Sequence, residues 1–141
     1  MLEYQKDQQL LEIKEGDIGS SVYMFKCVNT NVLIHQKVNV ITLDNCSNCK
    51  VQLIKGLISA VEITNGKKIE VHADDVLPFV NINNTEGCQV YLNTKSIGAK
   101  ISTSISSTVN VCYWDAANEL VELPIPHLFV SFIKDGKLIT E

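Results

Sequence analysis

Five stretches in the middle of the chain share one layout: FKCVNTNVLI, ITLDNCSNCKVQL, VEITNGKKIEV, VNINNTEGCQVYL and AKISTSISSTVNV. Each has an apolar residue, a spacer and a small polar residue, then an apolar pair on alternate positions. The polar residues are Asn29, Asn45, Asn65, Asn84 and Thr103, at intervals of 16 to 20 residues. The pairs are Val32/Ile34, Val51/Leu53, Ile69/Val71, Val90/Leu92 and Val109/Val111. Alternation of period two, rich in Val and Ile, marks short strands, and almost nothing between Ser20 and Tyr113 has a helical period. A unit this short cannot make a four-stranded propeller blade of ~40 residues, but it suits one turn of a β-solenoid. Coils would stack with strands ~4.8 Å apart, each in parallel with its equivalents above and below. Like residues then form columns, and an asparagine column fits a bend, because Asn bonds local backbone and tolerates left-handed conformations. The alternative all-β reading is an antiparallel sandwich with regularly spaced hairpins. The repeating Asn register and the scarcity of tight hairpin dipeptides favour the solenoid.

The ends break the repeat. Tyr4 to Ile13 reads as a short helix or an entering strand, within an N-terminal cap over residues 1–20; solenoids need such caps. The coils run over 21–119, and 120–141 holds a proline connector and a hairpin. Pro124 and Pro126 impose an extended chain, and Asp135-Gly136 is a strong hairpin signal. Leu128, Val130 and Phe132 would point one way and Phe129 and Ile133 the other, with Leu138 and Ile139 on the returning strand. A lone two-stranded hairpin with two apolar faces needs cover. It can fold onto its own solenoid or pass to a second molecule, giving a symmetric dimer.

At 141 residues, 45% hydrophobic and 20% charged, the chain fits one globular domain. Its net charge of −4 argues against a nucleic-acid binder, and no membrane partner is indicated. All 12 basic residues are lysine, which removes arginine clamps and arginine fingers. The polar start MLEYQKDQQLLEIKEGDIG is no secretory signal, and no apolar run reaches the roughly 18 residues of a membrane span. A cytosolic protein is expected, with its 5 cysteines reduced.

Catalytic readings are weak. Asp74-Asp75 could be offered as paired carboxylates, but neighbours on a strand face opposite sides, and HADDVLP reads better as a turn between coils. His35, His72 and His127 share no spacing with a nucleophile, and no phosphate-binding loop is present. No enzyme and no cofactor are expected. Cys46 and Cys49 have the spacing of a zinc half-site or a redox dithiol, yet no second Cys or His pair completes four ligands. Counted from Asn45 and Asn84, Cys49 and Cys88 share a column two coils apart, ~10 Å, too far for a shared metal. Cys49 reads as a small core residue, and Cys46 as a thiol beside a bend.

The segments YMFKCVNTNVLI, KVNVITLDNC, VEITNGKKIEV, VNINNTEGCQVYL and STSISSTVNV, followed by ELPIPHLF and DGKLIT, together resemble the C-terminal domain of the cyclase-associated proteins. The resemblance covers nearly the whole chain. It implies a right-handed parallel β-helix of about five to six coils, whose C-terminal hairpin is exchanged in a homodimer. It also implies binding of monomeric actin, preferably ADP-bound, with sequestration or ADP-to-ATP exchange, and association with the cytoskeleton. Without the family's N-terminal helical domain, proline-rich segments and WH2 motif, the chain reads as a minimal version or a fragment. The implied actin contacts are Lys26, Asn29, Thr30, Lys37, Thr42, Asp44, Glu62 and Thr64 in the first three matching segments. Asn83, Thr85, Glu86, Ser106 and Ser107 follow in the next two, with Lys137 and Thr140 in the tail. The implied dimer contacts are Leu128, Phe129, Val130, Phe132, Ile133, Leu138 and Ile139. A related β-helical group, tubulin-folding cofactor C and its relatives, activates GTP hydrolysis with an arginine; the absence of arginine here disfavours that alternative.

Overall fold

The computed structural model describes residues 2–7, 11–13, 21–126 and 130–140, and among these every regular element is a strand. No helix of the described residues is long and apolar enough to cross a membrane. The chain is a β-solenoid of about five turns, so the sandwich alternative falls: strands equivalent in the repeat pair in parallel. One sheet takes β1 (Leu2–Glu3), β3 (Ser21–Phe25), β5 (Val38–Asp44), β7 (Leu57–Thr64), β9 (Phe79–Asn83) and β11 (Lys100–Ser104), in that spatial order. The second takes β2 (Leu11–Ile13), β4 (Asn31–Ile34), β6 (Ser47–Leu53), β8 (Lys67–Ala73), β10 (Glu86–Leu92) and β12 (Ser107–Trp114). It is closed by β13 (Leu120–Pro124), antiparallel to β12. Alternation puts one side of each strand inside. Val22, Ile41, Val61 and Val80 form one inner column of the first sheet, and Met24, Leu43, Ile63 and Ile82 another. Val32, Val51, Val71, Val90 and Val111 line up opposite. Burying each such side chain is worth roughly 1.5–3 kcal/mol.

A narrow third face joins each strand of the first sheet to the next strand of the second. In every coil the turn uses two residues with positive φ, three apart: Tyr4/Asp7, Lys26/Asn29, Asn45/Asn48, Asn65/Lys68, Asn84/Gly87 and Ile105/Thr108. The asparagine column of the sequence is therefore two columns. Asn45, Asn65 and Asn84 share the first, but Asn29 belongs to the second beside Asn48, and Thr103 pairs with Ile82 before the bend. Amide side chains bond along these columns: Asn84 Nδ2 donates to Asn65 Oδ1 at 2.6 Å, Asn48 Nδ2 to Asn29 Oδ1 at 2.7 Å, and Asn29 Nδ2 to Asp7 Oδ1 at 2.9 Å. Ile105 takes φ 51° with 82% of its surface exposed, a left-handed conformation costing a β-branched residue roughly 1–2 kcal/mol.

At the N-terminal end the strand alternative stands, and at the C-terminal end the reading is refined. No described part of Tyr4 to Ile13 is helical; β1 and β2 are strands of the stack itself. The proline segment is not merely a connector, since Pro124 ends β13. Asp135 (φ 52°) and Gly136 (φ 74°) do turn a hairpin of β14 (Ser131–Lys134) and β15 (Lys137–Thr140), which forms its own two-stranded sheet. Asp74 and Asp75 lie in the bend between β8 and β9, where the Asp75 carboxylate accepts the Val76 N–H at 2.8 Å.

Candidate binding face

The outer surface of the first sheet is flat, and its residues are fixed in columns by the parallel register. Tyr23, Thr42, Glu62, Asn81 and Ser102 make one column, and Phe25, Asp44, Thr64, Asn83 and Ser104 the next. Tyr23 Oη donates to Asp44 Oδ2 at 2.9 Å; that bond to a carboxylate, with burial next, raises the phenol above its ordinary range. Tyr23 and Phe25 stack at 6.3 Å, and Tyr4 meets Phe25 edge-on at 5.8 Å. Lys26 Nζ lies over the Phe25 and Tyr4 rings, at 5.3 and 5.7 Å, a cation–π arrangement.

This face gathers Thr42, Asp44, Glu62, Thr64 and Asn83 from the expected contacts, with Lys26 at its margin. The others are dispersed. Glu86, Ser106 and Ser107 line a polar groove along the third face, Asn29 stands in the second left-handed column, and Lys37 sits in the turn between β4 and β5. Lys137 lies opposite Lys134 across the hairpin, where Thr140 Oγ1 is 2.9 Å from Ser131 Oγ. Thr30 and Thr85 correct the expectation: both are buried, at 0% and 3% exposure. Their hydroxyls turn inward and donate to the carbonyls of Val28 and Asn83, so both are engaged within the bends. Tyr23, Phe25, Asn81 and Ser102 were not expected. Stacking alone would have found them, because Tyr23, Asn81 and Ser102 share the column of Thr42 and Glu62, and Phe25 that of Asp44.

The outer face of the second sheet carries Lys50, Glu70 and Gln89 in one column, beside a stacked His72–Tyr91 pair with ring centroids 4.2 Å apart. Beyond the last coil, Leu92, Ile101, Val111, Tyr113, Leu123 and Ile125 line an apolar cavity. The hairpin also exposes apolar side chains: Val130, Phe132, Ile133 and Leu138 are 61%, 40%, 78% and 71% exposed, while Ile139 is half-buried. Leu128, Phe129 and His127 lie outside the described residues. Among the described residues, no three of His, Cys, Asp and Glu come together to hold a metal ion.

The family model described as adenylate cyclase associated (CAP) C terminal matches residues 1–141. The chain belongs to the cyclase-associated protein C-terminal family. It is 38% identical over 142 residues to the adenylyl cyclase-associated protein of Dictyostelium discoideum, covering 99% of this chain and 30% of that one. Against adenylyl cyclase-associated protein 1 of Homo sapiens it is 32% identical over 139 residues, covering 99% of this chain and 29% of that one. The chain thus spans less than a third of the length of these relatives. The crystal structure of cyclase-associated protein from Cryptosporidium parvum superposes with a TM-score of 0.90 at 25% identity, over 97% of this chain and 85% of that one. The cyclase-associated C-terminal family is non-enzymatic.

Within this cyclase-associated fold the Cys46-x-x-Cys49 pair has a structural explanation. Cys46 Sγ lies 3.5 Å from the Asp44 carbonyl and Cys49 Sγ 3.3 Å from that of Ser47. Thr85 and Ser106 make the same bond to the carbonyl two residues back, at Asn83 and Ser104. Each thiol thus does the work of a turn hydroxyl on the inside of the bend. Cys49 and Cys88 both pair with Ile69, which stands between them. All 5 cysteines are buried thiols outside any disulfide. The hydrogen bond to Cys49, with burial, holds the Cys46 thiol well above its ordinary range, and burial alone pushes Cys88 from 9.0 up to about 12. A raised thiol pKa contributes stability that is complete below 9.0 and is lost as pH rises toward about 12. Alkylation of the folded protein near neutral pH should therefore leave Cys46 and Cys88 unmodified, with labelling only on unfolding. Unfolding midpoints in urea should fall between pH 9 and about 12 less steeply in Cys88→Ala than in wild type. Rapid alkylation of either thiol in the native state contradicts this assignment.

Proposed function

We propose that this chain binds monomeric actin through the outer face of its first sheet, prefers the ADP-bound form, and works as a hairpin-exchanged homodimer. Family membership supports the actin reading, and the observation that carries the site is the aligned array of Tyr23, Thr42, Asp44, Glu62, Thr64 and Asn83 on stacked strands. Such a face is already ordered, so little conformational entropy is lost on binding. Sequestration of monomers or faster exchange of ADP for ATP then follows from holding the monomer. Nucleotide-labelled actin monomers titrated with the protein should show saturable binding and altered nucleotide release, stronger for ADP-actin than for ATP-actin. Asp44→Lys with Glu62→Lys should weaken binding about tenfold or more by reversing charge at its centre. Absence of any effect at saturating protein overturns the actin reading, while equal binding by the double variant overturns the face.

The dimer rests on a different observation. The hairpin leaves Ile133 and Leu138 in water, and the apolar cavity beyond the last coil is open. A second copy's hairpin laid against that end would bury both surfaces, and the reciprocal contact closes a two-fold dimer. Deleting residues 129–141 should convert a dimer to a folded monomer by light scattering. A dimer that survives the deletion refutes exchange.

A further inference from the structure

Gly66 sits in the inward column of the third face, where the neighbouring coils place Cys46 and Thr85. A Cβ there would lie 3.0 Å from both Ile63 Cγ2 and Ile69 Cγ1, and 3.3 Å from Thr85 Oγ1, so packing favours glycine. The residue before it must turn left-handed, and Asn65 does so at φ 53°, a conformation asparagine tolerates well. These two demands create the only Asn-Gly dipeptide in the chain. In such a pair no side chain shields the glycine nitrogen, so its attack on the asparagine side chain is the least hindered of any sequence.

We propose that Asn65 is a deamidation site, gated by the contact between the Gly66 bend and Thr85 of the next coil. The Gly66 nitrogen attacks Asn65 Cγ; the new C–N bond forms as the Cγ–Nδ2 bond breaks, and ammonia leaves carrying the amide proton. Water then opens the cyclic imide at either carbonyl, giving aspartate or isoaspartate. Water is the sole co-reactant.

In the folded chain both reacting groups are tied to the next coil. The Gly66 N–H donates to Thr85 Oγ1 at 3.3 Å, while the Thr85 hydroxyl proton goes to the Asn83 carbonyl at 3.1 Å. Asn65 Oδ1 is occupied by Asn84 Nδ2. The flanking peptides are tied as well: Asn65 N–H to Asn83 O at 3.1 Å, Lys67 N–H to Cys46 O at 3.0 Å and Glu86 N–H to Gly66 O at 3.1 Å. Swinging the Gly66 nitrogen onto Cγ requires this bend to part from the one above it. Asn45, Asn48 and Asn84 share the left-handed geometry but precede Cys46, Cys49 and Thr85, whose β-carbons hinder attack. Once formed, isoaspartate lengthens the backbone by one carbon, breaks the register of the bend and adds a negative charge, so a single opening leaves a permanent mark.

The test incubates the intact chain at mildly alkaline pH, native and in urea, and maps peptides for exchange of the amide NH2 for OH at residue 65. The native rate should fall far below the unfolded rate, with conversion confined to Asn65. Removing one neutral hydrogen bond in Thr85→Val should accelerate native conversion about fivefold, whereas Thr85→Ser should keep the wild-type rate. Equal native and unfolded rates, or conversion at Asn45 or Asn84 ahead of Asn65, overturn the proposal. Should Thr85→Val not fold, hydrogen exchange of the Gly66 amide in the wild type decides: slow exchange supports the gate and free exchange overturns it.

Discussion

Everything in this molecule depends on a backbone constraint at one narrow face. A chain that builds two sheets in parallel register must turn through the same angle in every coil. Here it does so with two left-handed residues three apart, from Tyr4/Asp7 to Ile105/Thr108. Left-handed backbone costs most residues energy, and the cost is offset where Asn, Asp and Gly occupy the positions and where each bend bonds the next. The bonds are regular: Lys26 N–H to Asp44 O, Asn45 N–H to Thr64 O, Asn65 N–H to Asn83 O and Asn84 N–H to Ser104 O. From the second bend on, the residue after the first left-handed position is small: Cys27, Cys46, Gly66, Thr85 and Ser106.

From the fixed bend follows a fixed register, and from the register a flat face. Once Met24, Leu43, Ile63 and Ile82 are stacked inside, Tyr23, Thr42, Glu62 and Asn81 have no choice but to stack outside. The surface is therefore set by the core, and a change at a buried position shifts a whole column. This gives a binding face its rigidity without a loop to order. The hairpin is the exception: it shares no sheet with the solenoid and leaves apolar side chains in water, as a segment suited to another chain would.

The fold was legible because period two and a repeat near 19 residues are both visible in the chain. The register was only partly so. Asparagine suits either left-handed position, so Asn29 aligned with Asn45 by residue type while the backbone aligns it with Asn48. The last coil has no asparagine at the bend, so Thr103 resembles the repeat residue in sequence while Ile105 holds that place against its own preference. Thr30 and Thr85 looked like surface polar groups, since nothing in composition distinguishes a hydroxyl that binds a partner from one that bonds the carbonyl two residues back. The polar segment from Tyr4 to Ile13 left a helix and an entering strand open, because the pairing that makes β2 a strand comes from a coil later in the chain. The Asp135-Gly136 turn is legible because that dipeptide carries its turn locally.

The proposal that the first sheet's outer face meets the actin monomer has a direct test. Amide chemical shifts of the labelled protein, recorded with and without ADP-actin monomers, test it residue by residue. Binding through this face should concentrate the changes at Tyr23, Thr42, Asp44, Glu62, Thr64 and Asn83. Changes concentrated instead at Lys50, Glu70, His72 and Tyr91, on the second sheet, would contradict it.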